Sequence, residues 1–199
     1  MPTRLPTEER KSEIVAAALK LAQETSPGAI TTSDIAKAIG VTQGAVFKHF
    51  PTKDAIWLAT MQWVRENLLQ KLHSESDAAA SSTHALEAVF CAHVAFVIAH
   101  PGVPRIIFHE LQQPVDSPIK QEVRALLQAY RKLLKGLLNA GVNAGEFGAS
   151  LDHEAAAALF VGIVQGLVMQ SMLTGKPAGM KAQARSIFSL FVRGLQEAT

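Results

Sequence analysis

Apolar residues recur at three-to-four spacing along nearly the whole of this sequence, and no stretch keeps the period of two that a half-buried strand needs. Broken at intervals by Gly and Pro, that pattern confines the chain to helices. Ile14, Ala18, Leu21 and Ala22 form one side of a first helix, with Thr7 as its N-cap and Glu8 and Glu9 in the following turn. Ser26-Pro27-Gly28 ends it near residue 25. Thr31 and Asp34 then read as a capping box, with Asp in place of Glu or Gln, opening a short helix over 32–39. Gly40 supplies the left-handed stop. Only Val41 separates it from Thr42, which caps a third short helix to about residue 49. After Pro51-Thr52 a long helix is expected over 53–73, followed by a polar loop over 74–82. Five more helices are predicted over 83–100, 103–112, 117–140, 152–174 and 181–197. The expected fold is all-α with about nine helices, divided into segments 1–55 and 56–199.

Composition removes several classes of protein. With 199 residues the chain has length for one or two domains, and its 48% hydrophobic content is enough for a packed core. The single cysteine cannot close an internal disulfide, and no Cys or His spacing suggests a metal framework. The first eleven residues lack the apolar region of a signal peptide. The most apolar stretch, 155–169, contains Gln165 and is shorter than the roughly 20 residues that span a bilayer. These features predict a soluble, cytoplasmic protein without a membrane partner, cofactor or metal. A net charge of +2 selects no partner, so any affinity for DNA has to come from local placement of charge.

Residues 31–49 give helix, tight turn, helix. Ile35, Ala36, Ile39, Val41 and Val46 are the inward positions, and Ala36 is small where the two helices must cross. A helix-turn-helix that reads the major groove has this construction, and so does a purely structural αα-hairpin. The residues go further than the spacing. Thr31-Thr32-x-x-Ile35-Ala36, Ile39-Gly40-Val41-Thr42, Gly44-Ala45-Val46-Phe47-Lys48-His49-Phe50 and Lys53-Asp54 follow one another in order. Over residues 14–57 the chain resembles the N-terminal domain of the tetracycline-repressor (TetR) family of transcriptional regulators. One departure is Phe47, where the family usually carries a tyrosine whose phenol bonds a phosphate.

The resemblance implies a DNA-binding regulator acting as a homodimer on a palindromic operator in double-stranded DNA, most commonly a repressor released by a small-molecule inducer. Candidate DNA contacts are Thr32, Ser33, Thr42, Gln43, Gly44, Phe47, Lys48, His49 and Lys53. Amides near Thr32 and Ser33 offer a partial positive helix end to phosphate. Gln43 can pair with both N6 and N7 of adenine, and Thr42 can meet a thymine methyl. Gly44 allows close backbone approach, and Lys48 can reach guanine or phosphate. His49 and Lys53 suit phosphate positioning. Phe47 is better read as packing beneath the third helix. Residues 1–57 hold seven Lys or Arg against six Asp or Glu, so their placement has to do what bulk charge does not.

One recognition helix reads too few bases for specificity, so a two-fold dimer is expected. Gly162 and Gly166, one helical turn apart, together with Ile187, Phe188, Phe191 and Leu195, are the interface candidates; an internal core explains the same residues as well. The four-helix interface implied by the resemblance favours the first reading. An inducer pocket is expected among the middle helices, with Trp63, Phe90, His93, Phe96, Phe108, Tyr130, Gln165 and Met169 as lining and His93 and Gln165 as polar handles.

Enzymatic readings fail on spacing. His109-Glu110 opens a zinc motif whose second histidine is replaced by Gln113. His93 and His100 lie about 10 Å apart along one helix, too far to share a zinc ion. Cys91 and His93 face different directions on a helix. An architectural DNA-binding protein without ligand control is the alternative; it would bind random duplex almost as well as any chosen site.

Overall fold

The computed structural model describes residues 6–196, and among them there are nine helices and no strand. In chain order they are α1 (Thr7–Leu21), α2 (Thr32–Ala38), α3 (Gln43–Phe47), α4 (Lys53–Asp77), α5 (Ser82–Ala99), α6 (Gly102–Leu111), α7 (Pro118–Asn143), α8 (His153–Thr174) and α9 (Ala178–Arg193). The all-α expectation holds. Its boundaries shift where local chemistry competes. The N-cap of α1 is Pro6 rather than Thr7, with no side-chain cap. The loop expected over 74–82 shrinks to 78–81, since α4 continues to Asp77, where Lys71 pairs with Glu75 one turn on. The predicted end of the last helix, at residue 197, lies outside the described residues.

The helices gather into two compact units. Among the described residues, one is formed from 6–66 and His100–Ala125, the other from Asn67–Ala99 and 126–196. Residues 6–55 therefore share their unit with α6 and the start of α7. Gly102 is what admits α6: a Cβ there would stand 2.4 Å from the Leu19 carbonyl oxygen, so only glycine lets the two backbones come this close. Ile14, Ala18, Ile35, Val46 and Ile56 are fully buried in this first unit. Each large aliphatic of that set contributes on the order of 1.5–3 kcal/mol by leaving water.

In the second unit α5, α8 and α9 pack on one another. Phe90 meets Phe160 edge-on at 5.4 Å and Phe188 at 5.7 Å, and Phe160 meets Phe191 at 5.4 Å. Helices α5 and α8 are each long and apolar enough, by length and composition alone, to cross a bilayer. Here their large side chains Leu86, Phe90, Phe160 and Val164 are buried in the unit's core, as in a core helix of a globular protein.

Candidate nucleic-acid interface and effector cavity

The α2–turn–α3 segment is built by local hydrogen bonds. The Thr31 hydroxyl accepts from the Asp34 amide at 3.1 Å, and the Asp34 carboxylate accepts from the Thr31 amide at 2.9 Å, completing the capping box. The Thr31 hydroxyl and amide hold the Asp34 carboxyl below the usual carboxylate range. Gly40 adopts φ +69°, and the Val41 amide returns to the Ala36 carbonyl at 3.0 Å. Thr42 caps α3 through its hydroxyl, which accepts from the Ala45 amide at 3.2 Å. Beneath α3, Val46 and Phe50 are buried with Ile35 and Ala36.

What remains outside is the face that α3 offers. Thr42, Gln43, Gly44, Phe47 and Lys48 are all exposed. A Cβ on Gly44 would meet nothing nearer than the Thr42 hydroxyl at 4.0 Å, so the free protein leaves that space open. Gly44→Ala is accordingly expected to keep or raise the stability of the fold, by up to about 1 kcal/mol of helix propensity, while weakening DNA binding. Equal DNA affinity in a gel-shift titration would remove Gly44 from the contact surface. Phe47 corrects an expectation: its ring is 44% exposed, because Val46 occupies the position under the helix. An exposed ring on this face is available to a thymine methyl or a sugar, not to the core.

Four other candidates sit differently from their expected places. Thr32 is buried, and its hydroxyl accepts a hydrogen bond from Gln43 Nε2 at 2.7 Å. Ser33 is half-buried beside the Asp34 carboxylate, whose negative charge shares the helix end expected to attract phosphate. Lys53 is half-buried, and its ammonium donates to the carbonyls of Gly28 and Ile30 at 3.0 Å each. Two of its three donors thus tie the start of α4 to the connection before α2, leaving one for a phosphate. His49 is half-buried, with Nδ1 buried and without a hydrogen-bond partner.

The same unit contains a cavity of about 730 Å³. Trp57, Leu58, Ile106 and Ile119 give it apolar walls, and Lys53, His109 and Glu110 add polar groups. The buried Glu110 carboxylate accepts from the Ser117 hydroxyl. Asp116, also at the cavity, is bound by Arg124 at 2.7 Å, which holds its carboxyl below the usual range.

None of the eight residues expected to line a pocket borders this cavity. Trp63 packs edge-on against His100 at 5.2 Å, and Phe108 is half-buried on α6. In the second unit Phe90 and Phe96 are core residues. His93 Nδ1 lies 3.2 Å from the Tyr130 hydroxyl. Burial pushes the His93 pKa down to about 4 and the Tyr130 phenol up, so both are neutral at pH 7. Gln165 and Met169 are exposed on α8. Sequence periodicity could not find the cavity, whose walls come from α4, α6 and α7.

The interface candidates also divide. Gly162 is exposed and Gly166 half-buried, and beyond its own turn of helix a Cβ on either meets nothing within 4 Å among the described residues. On the same α8 face Leu159 is 57%, Met169 46% and Leu173 80% exposed, and Leu190 of α9 is 62% exposed. Of these four, the sequence singles out only Met169, and as pocket lining rather than as interface. Phe188, Phe191 and Leu195, by contrast, are buried in the chain's own core, and Ile187 is half-buried. Packing against α5 and α8 takes up that side of α9.

Comparison with known proteins places these features in context. Residues 14–60 match the family described as bacterial regulatory proteins, tetR family, and residues 113–187 match the tetracyclin repressor-like C-terminal domain. The fatty acid metabolism regulator protein of Bacillus subtilis is 22% identical over 92% of this chain and 94% of its own. The nucleoid occlusion factor SlmA of a Shewanella strain is 24% identical over 74% of this chain and 75% of its own. Among solved structures, the fatty acid degradation regulator FadR of Bacillus halodurans superposes with a TM-score of 0.84 at 22% identity, covering 98% of this chain and all of that one. FadR of Bacillus subtilis in complex with stearoyl-CoA gives 0.81 at 22% identity, covering 93% and 99%.

Proposed function

Because this chain belongs to the tetR family of bacterial regulatory proteins, and is thus a DNA-binding transcriptional regulator that responds to a ligand, we propose that it is a cytoplasmic homodimeric repressor whose Thr42, Gln43 and Lys48 read a palindromic operator. The observation that supports this most is the exposed start of α3, where a capped helix end presents Thr42, Gln43 and an open Gly44 together. Gln43 supplies a donor and an acceptor in one plane, the pattern that adenine offers in the major groove. Lys48 supplies a charge that is worth more to affinity than to specificity.

A duplex selected from a random library by the purified protein serves as operator. Gln43→Ala is expected to relax base preference at one position per half-site, costing about 1–3 kcal/mol there. Lys48→Ala is expected to weaken selected and random duplexes alike and to lower the salt slope by about one. Unchanged affinity in both variants would defeat the assignment. Random duplex bound as tightly as the selected one would favour the architectural reading instead.

For the effector we propose the cavity of about 730 Å³, in place of the residues around Phe90, His93 and Tyr130, which pack on one another. An occupant there touches Lys53 and Trp57, at the start of the helix that follows α3. Loosening the Lys53 bonds to Gly28 and Ile30 would free the α1–α2 connection and with it the α2–α3 pair. The relative solved with stearoyl-CoA makes a fatty acyl thioester the first effector to titrate. Release of the selected duplex by stearoyl-CoA, reduced by Leu58→Trp, supports this site; release unaffected by Leu58→Trp argues against it.

A further inference from the structure

We propose that Thr32 is a positioning residue for base recognition: it holds the Gln43 carboxamide in the plane that reads DNA. This rests on the reading that Gln43 contacts a base. Thr32 is the first residue of α2 and is buried, whereas Gln43 opens α3 and is exposed. The Gln43 Nε2 donates to the Thr32 hydroxyl at 2.7 Å, across the turn that joins the two helices. A carboxamide has two N–H donors and one acceptor oxygen. With one N–H held by Thr32, the other N–H and Oε1 remain, and these are the two groups that pair with adenine N7 and N6.

The consequence is entropic as well as geometric. An exposed glutamine side chain samples many rotamers, and ordering one at an interface costs roughly 0.5–1.5 kcal/mol when binding occurs. Here the anchor exists before DNA arrives. Thr32 is also held from its own side, since it follows the capping box of Thr31 and Asp34, and it is too buried to contact a phosphate itself. The residue expected from the sequence to bind the backbone thus acts through its neighbour on the base.

Thr32→Val keeps the shape and removes the hydroxyl; Thr32→Ser keeps the hydroxyl. On the duplex selected by the wild-type protein, Thr32→Val is expected to lose about fivefold in affinity, one ordinary hydrogen bond's worth, with no loss on random duplex and an unchanged salt slope. Thr32→Ser is expected to restore wild-type discrimination. In a Gln43→Ala background, Thr32→Val is expected to cost nothing further, because the two act as one unit. Thermal unfolding of each variant, run alongside, separates loss of fold from loss of positioning. Equal losses on selected and random duplex, or losses that add to those of Gln43→Ala, would overturn the positioning role while leaving Gln43 as a base reader. If Gln43→Ala itself leaves discrimination intact, the base contact fails, and the role of Thr32 fails with it.

Discussion

A Gly162→Arg chain is expected to sediment as a monomer, to keep its helical circular-dichroism signal, and to bind the selected operator roughly a thousandfold more weakly than the wild type. Among the described residues, and beyond its own turn of helix, nothing comes within 4 Å of a Cβ built at Gly162, so the new side chain meets no neighbour in its own protomer there. Leu159, Met169 and Leu173 nevertheless continue that helix face as exposed apolar residues, with Leu190 exposed on α9. An apolar helix face in water invites a second copy, and glycines on it let two backbones approach closely. A charged side chain at that point keeps the copies apart, and without two recognition helices on one body the energies of the half-sites no longer combine. Sedimentation of Gly162→Arg as a dimer at micromolar concentration would place the contact elsewhere. A matching test, Phe188→Ala, is expected instead to unfold the protomer at lower denaturant, since Phe188 packs against Phe90 and Phe191.

His93 carries the second large expectation. Between pH 6.5 and about 4, it alone should remove roughly 3 kcal/mol of stability. Its folded pKa is depressed to about 4 by burial, and an unfolded histidine titrates near its ordinary 6.5. Within that window the unfolded chain therefore binds more protons than the folded one. Stability is complete above pH 6.5, falls as the pH drops, and levels off below 4. The nearest polar group, the Tyr130 hydroxyl at 3.2 Å, is kept neutral by its own burial and offers no counter-charge. Urea unfolding at pH 7 and pH 4.5 measures the difference. His93→Asn, which keeps a polar atom near Tyr130 and does not titrate, is expected to flatten it; an unchanged pH slope in that variant would show that other groups account for the loss.

The legible parts of this protein are those whose cause lies within a few residues. Thr31 with Asp34, Gly40 and Thr42 are all readable from the sequence, because a cap or a left-handed stop is decided by side chains three or four positions apart. Phe47 and Phe188 are harder for a shared reason: periodicity marks which residues share a helix face and is silent about what covers that face. On α9, Phe188 and Phe191 turn to the chain's own core, and Leu190 is left outside. Lys53 shows its charge in the sequence, but the two carbonyls that occupy it belong to residues 23 and 25 positions earlier. The cavity is out of reach for the same reason, with walls drawn from Trp57, Ile106 and Ile119.

Helical period, caps and turn glycines determined, from the sequence alone, an all-α chain with two short helices joined by a tight turn near its start and Gln43 opening the second; the role of that pair in reading DNA came from the resemblance over residues 14–57. Those interactions close over one helical turn, so a linear string contains both partners. Tertiary structure decided the rest: that the Thr32 hydroxyl accepts from the Gln43 carboxamide, that Lys53 is tied down, that Phe188 is core, and that the α8 face around Gly162 is open. Each depends on which distant surface is removed from water, and burial is a property of the packed chain as a whole.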